Sequence, residues 1–197
     1  MKQRLISTAG SLFLSLAVVF SLTNCTKNDH GQMPESNAAT SMRSGKSLNL
    51  VKQYKANLQA INNSGVSGTA MLWLDGNMLT VKIDAMGLEA NKLHPQHIHG
   101  FTDNNKNSTC PTWSADTNGD GIISLEEGLP SYGPVLLSLT EFPTADASGE
   151  IHYMQKFTID GSVLPLQNRA IVIHGLTVNG QYVATLPVAC AQIQTAE

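Results

Sequence analysis

Charged side chains are scarce in this chain of 197 residues, where Asp, Glu, Lys and Arg together account for 14% and hydrophobic residues for 42%. Such a balance suits a β-rich exported domain better than a helical cytosolic one. The formal net charge is only −3, and no cluster of lysines and arginines occurs. Because recognition of a phosphate backbone requires such a basic patch, the composition argues against a nucleic-acid partner.

Long apolar runs are lacking as well. The main one, residues 12–22, is too short to span a bilayer comfortably, and no other stretch could cross one. It follows Lys2 and Arg4, and a short apolar run behind a positive amino-terminal region is typical of an export signal. The protein is therefore expected to be exported.

The apolar run ends in Leu22-Thr23-Asn24-Cys25, which resembles a bacterial lipobox, although Asn24 stands where a small residue is usual. We predict a lipoprotein signal peptide over residues 1–24, with Cys25 lipidated and anchoring the protein to the bacterial cell envelope, facing the periplasm or the cell surface. The alternative is an ordinary secretion signal with a chance cysteine. Residues 25–48 are polar and aperiodic, which predicts a flexible tether.

Long helical periodicity is also absent. Tyr54, Ala56 and Leu58 alternate with polar residues, which favours a strand, although a helix over residues 48–61 is an alternative. Further strands are predicted at residues 66–74, 78–86, 97–101, 135–139, 150–159, 169–174 and 182–189. Short strands separated by turn signals predict one all-β domain over residues 49–197, a β-sandwich or flattened barrel.

Histidines provide the clearest functional signal. His97 and His99 are two residues apart, so on an extended strand their imidazoles point to the same face. His174 closes another strand-like run, Arg169–His174. Imidazole nitrogens bind copper, zinc, iron and nickel well, so a metal site is one interpretation. A pair of half-exposed strand histidines is the other.

The surrounding sequence resembles that of the Cu/Zn superoxide dismutases. The segment Leu93-His94-x-x-His97-Ile98-His99-x-Phe101-x-Asp103 resembles their strand that carries two copper histidines, and Asn168–His174 resembles the strand that supplies another. The hairpin of residues 68–88 resembles equally the opening of CHRD (chordin-type) domains, and residues 133–139 lean towards CHRD.

The resemblance implies a Greek-key β-sandwich or flattened barrel and a copper ion held by His97, His99 and His174. His152 is the best candidate for a fourth ligand, and His94 is expected to play a hydrogen-bonding, structural role. The resemblance also implies a disulfide between Cys110 and Cys190. An even pair of cysteines in an oxidising compartment agrees with a disulfide, and two buried free thiols are the alternative.

The chain departs from the dismutase pattern in ways that bear on activity. No histidine lies between Cys110 and His152, so neither a bridging histidine nor a zinc site is expected. Pro187 stands where the resemblance calls for an anion-guiding arginine. We therefore expect copper binding with weak or absent dismutase activity, which leaves open whether the protein is an enzyme. The alternative is a CHRD-like, non-catalytic binding or structural module at the cell surface, stabilised by calcium.

Residues 116–127 match the twelve-position EF-hand calcium template. Gly121 occupies the sixth position, where the chain turns sharply. Pro111 and Pro130 argue against flanking helices and favour a single inserted loop of the dockerin type; a polar turn loop without metal is the alternative. The predicted calcium ligands are Asp116, Asn118, Asp120, the Ile122 carbonyl, Ser124 and Glu127.

Overall fold

The computed structural model describes residues 50–103 and 106–196. The predicted signal peptide (1–24), the lipidated Cys25 and the tether (25–48) lie outside the described residues. Residues from Lys46 to Glu197 group into one compact unit, which contains the hydrophobic core and both cysteines of the disulfide. Of the helices in the described part of the chain, none combines the length and the apolar character needed to cross a bilayer.

Antiparallel strands are the main secondary structure of the described chain. Their bounds are β1 Lys52–Ala60, β2 Ser67–Asp75, β3 Met78–Met86, β4 Gln96–His99, β5 Val135–Ser138, β6 Ile151–Thr158, β7 Ala170–Val178, β8 Gln181–Gln192 and β9 Gln194–Thr195. One α-helix, α1, runs from Leu125 to Tyr132, and three short 3₁₀ turns lie at Trp113–Ala115, Gly161–Val163 and Leu166–Asn168.

The strands form a single curled sheet in the order β5-β4-β7-β8-β1-β2-β3-β6, with β9 added beside β1. Three neighbouring pairs in this order, β3 with β6, β4 with β7 and β1 with β8, are not consecutive in sequence, which is the connectivity of Greek-key folds. The sheet closes into a half-barrel. The prediction of an all-β fold is confirmed.

Strand β1 turns the corner between the two halves of this sheet. Residues Lys52 to Leu58 pair with β2, whereas Gln59 and Ala60 pair with β8. Tyr54, Ala56 and Leu58 point into the core and their neighbours are exposed, because successive strand residues face opposite sides. The prediction of a strand at this position, in preference to a helix, is confirmed.

The hairpin between β7 and β8 is longer than predicted. Both strands extend to a turn at Asn179-Gly180, where φ is 50° and 78°. Asn-Gly is a strong hairpin signal because both residues tolerate positive φ. The predicted strands at 169–174 and 182–189 stopped short of this turn.

Helix α1 corrects the expectation that the calcium-type loop has no flanking helix. Ser124 caps the helix and forms a reciprocal capping box with Glu127. Such a box satisfies backbone donors at the start of a helix. The helix then continues through Pro130 to Tyr132 despite the hydrogen bond that proline cannot make.

The disulfide between Cys110 and Cys190 is confirmed, with a Cα–Cα distance of 5.7 Å. It joins the loop before the calcium-type segment to the buried end of β8. The two cysteines are 80 residues apart, so loop closure alone is expected to stabilise the fold by about 4–5 kcal/mol.

Candidate metal centre

The three predicted copper histidines come from two paired strands. His97 lies opposite Val172 and His99 opposite Ala170 in the register of β4 with β7. Residues that lie directly opposite each other on paired strands point to the same face of the sheet. His174 is two residues beyond Val172 on β7, so its side chain points to that face as well. The alternate residues Ile98, Ile171 and Ile173 fill the core on the other side. Strand alternation therefore places all three imidazoles together.

The side chains converge closely. One nitrogen from each of His97, His99 and His174 lies within 4.8 Å of the other two. The ring centroids are 5.1 Å apart for His97 and His174, 5.6 Å for His97 and His99, and 5.7 Å for His99 and His174. His99 and His174 are almost completely buried, and His97 is half-buried.

Backbone carbonyls orient two of the rings. The Nδ1 of His99 lies 2.8 Å from the carbonyl oxygen of Gly133, and the Nδ1 of His174 lies 2.8 Å from that of Thr185. A carbonyl oxygen can only accept, so each Nδ1 carries the proton and each Nε2 presents a lone pair. Fixing the tautomer in this way is what metal-binding histidines require of their surroundings.

One nitrogen of each of the three rings has no hydrogen-bond partner. Nε2 of His99, Nε2 of His174 and Nδ1 of His97 are buried and make no hydrogen bond. Leaving a buried polar atom unpaired costs about 1–3 kcal/mol, so three such atoms at one point call for an explanation. A metal ion bound between them would satisfy all three.

Burial also keeps the rings neutral. It lowers the pKa of His174 to about 3 and that of His99 to about 4, although the carbonyls of Thr185 and Gly133 act in the opposite direction. Burial likewise lowers the pKa of His97. All three imidazoles are therefore unprotonated at neutral pH, as a metal ligand must be.

The histidines lie at a small pocket of about 150 Å³. Its other lining residues are Pro95, Leu125, Val135, Ala184 and Thr185. Neither a carboxylate nor a lysine or arginine is among them. An ion held here would have neutral ligands and apolar walls, and a small molecule could approach through the pocket.

The other two histidines of the described chain lie apart from this group. His94 is buried, with its ring nitrogens 3.0 Å and 3.1 Å from the carbonyl oxygens of His174 and Glu89. It thus has the expected hydrogen-bonding role and supports the backbone of a proposed ligand.

His152 corrects the expectation of a fourth ligand. Its side chain is 74% exposed on β6, where Nδ1 lies 2.8 Å from the Asp84 carboxylate. That hydrogen bond raises the pKa of His152. Because β6 pairs with β3, and not with β4 or β7, the ring is not brought to the other three.

The calcium-type loop is held by its own acidic side chains. The Asp116 carboxylate accepts from the backbone N–H groups of Gly119 and Gly121. Side-chain oxygens of Asn118 and Asp120 each accept from the N–H two residues further on. These bonds fold residues 116–122 into the tight curve that the EF-hand template requires.

Glu127 spans the loop from its twelfth position. One carboxylate oxygen accepts from Thr117 and Asn118, and the other from Ser124. The Ser124 N–H is the main reason that the pKa of Glu127 falls to about 2. Among the described residues, the group of three or more possible metal ligands is formed by His97, His99 and His174, and the loop's carboxylates are not part of it.

Sequence reasoning missed the groups that orient the ligands. The carbonyls of Gly133 and Thr185 are backbone atoms, which leave no side-chain signal. Tyr132 was also missed; its buried ring packs against His99 at a centroid distance of 4.7 Å. Compared with family models and with curated proteins, the chain matches none.

Proposed function

We propose that this chain is a copper-binding protein of the superoxide dismutase-like superfamily, exported and held at the cell envelope through Cys25. The observation that carries the proposal is the convergence of three buried, unpartnered imidazole nitrogens from His97, His99 and His174. The strand order and the disulfide are in keeping with the resemblance to Cu/Zn superoxide dismutases and CHRD domains.

Copper suits this set of ligands. Neutral imidazoles bind copper strongly among the divalent metals, and copper would supply one-electron redox chemistry. The protein itself would orient the imidazole rings and exclude water from the site. Gly133 and Thr185 fix the ring orientations, and the apolar pocket wall keeps the site dry apart from its mouth.

Dismutation needs more than a bound metal: the substrate anion must be attracted and a proton must reach the product. No lysine or arginine lines the pocket, and Pro187, which stands in place of the expected arginine, is buried. Steering by charge changes association rates by roughly 10–10³-fold. With His152 directed to Asp84, the chain's candidate proton donor is also remote. We therefore propose weak or no dismutase activity and no zinc site.

We further propose that the loop of residues 116–127 binds calcium and stabilises the domain. Asp116 and Asp120 keep the loop tightly curved, and α1 begins at the tenth position, directly after its cap Ser124 at the ninth, as the exiting helix of an EF-hand would. Glu127 is already ionised through its hydrogen bonds. A hard cation could replace the backbone donors that now satisfy these oxygens.

The second candidate function is a CHRD-like module without redox chemistry, in which the histidines are structural. The two proposals differ in what they predict for the ring nitrogens of the three histidines. Structural histidines would be expected to have a polar partner near each ring nitrogen, and both nitrogens of His94 lie within 3.1 Å of a carbonyl oxygen. The three unpartnered nitrogens favour the copper proposal.

Metal analysis of the exported protein tests the proposal. We expect about one copper per chain, lost when His97→Ala and His99→Ala are combined. His152→Ala is the matched control, because it removes an exposed imidazole that lies outside the group, and it should keep full stoichiometry. Unchanged copper content in the double variant would refute the site and favour the module.

A further inference from the structure

The charges of the described residues are divided unevenly over the fold. Strands β1, β2, β3 and β6 together carry four lysines and two aspartates; the rest of the described chain carries three basic and ten acidic residues. The four lysines are Lys52, Lys55, Lys82 and Lys156. These four strands therefore carry a small excess of positive charge, part of which the ion pair between Lys82 and Asp84 (2.6 Å) neutralises, in a domain that is acidic elsewhere.

The outer face of these four strands combines lysines with large apolar side chains. Across the strands, Lys55 pairs with Met71, Met71 with Lys82, and Lys82 with Met154. Met154 is 59% exposed, and Met71 is half-buried. Opposite residues in a sheet lie about 5 Å apart, so this row alternates cation and methionine across the whole face.

A parallel row lies two residues along the strands. It consists of Gln53, Trp73, Thr80 and Lys156, each facing the next. Trp73 is half-buried, so part of its indole is accessible. Tryptophan is enriched where an apolar phase meets water and head groups, because its ring is amphipathic.

The chain enters β1 at this same end of the sheet. Leu50 and Val51 are 84% and 47% exposed, and Met78, near the same end, is 39% exposed. The residues before them include the predicted anchor and tether. The predicted anchor and tether thus lie close in sequence to the face that carries the lysines, the methionines and Trp73.

We propose that the outer face of β1, β2, β3 and β6 docks on an anionic lipid surface. Lys55 and Lys156 match its charge, whereas Lys82 forms an ion pair with Asp84 on the same face. The acidic remainder of the domain is repelled and so sets the orientation. Trp73 and the methionines would enter the head-group region. The histidine pocket, on the outward face of β4 and β7, stays in solution and accessible. This inference does not depend on copper or calcium binding.

Vesicle binding by the Lys46–Glu197 unit, which lacks the anchor, tests the proposal. Vesicles of phosphatidylglycerol with phosphatidylcholine are compared with vesicles of phosphatidylcholine alone. We expect salt-sensitive binding to the anionic vesicles and little to the neutral ones. In a Trp113→Phe background, the remaining fluorescence comes from Trp73 and should shift to the blue on binding.

Charge variants locate the face. Lys55→Gln, Lys82→Gln and Lys156→Gln should each weaken binding about fivefold, since a basic residue near an anionic surface contributes about 1 kcal/mol. The matched control combines Lys92→Gln with Lys106→Gln, which lie outside the four strands, and should bind as the wild type does. Circular dichroism checks that each variant is folded.

Three outcomes would overturn the proposal. The first is no binding to anionic vesicles, and the second is an equal loss in the control pair. The third is a concentration-dependent dimer in sedimentation that is abolished when Lys55→Gln, Lys82→Gln and Lys156→Gln are combined, while vesicle binding persists. That result would assign the face to a second copy of the chain.

Discussion

The Nδ1 of His99 lies 2.8 Å from the carbonyl oxygen of Gly133, the residue that ends helix α1. The same helix begins within the calcium-type loop, where Ser124 and Glu127 form its capping box. Tyr132, on its last turn, packs against the His99 ring, and Leu125, on its first, lines the histidine pocket. One short helix therefore joins the two proposed metal sites.

This connection predicts that calcium increases copper affinity. A more rigid α1 would hold Gly133, and hence His99, closer to its ligand orientation. We expect a severalfold tightening of copper binding in saturating calcium, with an equal effect of copper on calcium affinity, as linkage requires. Competition titrations with a copper chelator, in calcium and without it, measure the change; identical copper affinities would contradict the coupling.

The proposed calcium site predicts a thermal shift. Binding to the folded state alone must raise the melting temperature, so millimolar calcium should stabilise the metal-free protein. Asp116→Ala should lose the response and keep the fold. Glu126→Gln, a change of charge in the same loop at a position outside the ligand template, serves as the control. A wild type that shows no shift would exclude the loop as a calcium site.

Buried neutral histidines predict that the metal-free protein loses stability in acid. The folded pKa values of His99 and His174, about 4 and about 3, lie below the ordinary value of 6.5. As the pH falls below 6.5, these histidines bind protons in the unfolded chain but not in the folded chain. Stability is thus complete above about pH 6.5 and declines towards pH 4.

Each of these histidines should remove about 1.4 kcal/mol per pH unit within that window. Denaturant unfolding at several pH values measures the slope. His174→Gln should reduce the slope by about 1.4 kcal/mol per pH unit, whereas His152→Gln should not reduce it. The same slope in the wild type and His174→Gln would mean that this ring does not titrate as its burial implies.

The lack of charge guidance predicts poor catalysis by the copper-loaded protein. We expect superoxide dismutation to be weak or absent, because no cation lines the pocket and His152 is distant. Pulse radiolysis gives the rate directly. Dismutation near the diffusion limit, abolished by His174→Ala, would show that the three histidines suffice without a guiding arginine or a bridging histidine.

Some features of the candidate metal site can be predicted from the local sequence, whereas others depend on contacts between distant parts of the chain. Successive side chains of a strand alternate between its two faces, so the spacing of His97 and His99 predicts that they share a face. The β-branched residues before His174 indicate that it lies on a strand. Which nitrogen of His99 and of His174 is free to bind a metal cannot be predicted from the sequence, since it depends on the carbonyls of Gly133 and Thr185, which tertiary packing brings near.

The same distinction explains the errors. Pro130 argued against a helix, but the Ser124 and Glu127 capping box offsets the lost hydrogen bond, and both residues were visible in the sequence. The Asn179-Gly180 turn was also visible. His152 was different: only the pairing of β6 with β3, a long-range contact, directs it to Asp84 and away from the other histidines.

The most direct test of the copper proposal is to observe which imidazole nitrogens bind the metal. Cu(I) is diamagnetic, so long-range ¹H–¹⁵N NMR of the histidine rings can be recorded with and without it. The structure predicts shifts at Nδ1 of His97 and at Nε2 of His99 and His174, with the rings of His94 and His152 unchanged. Shifts at a different set of nitrogens, or none on addition of copper, would contradict the account.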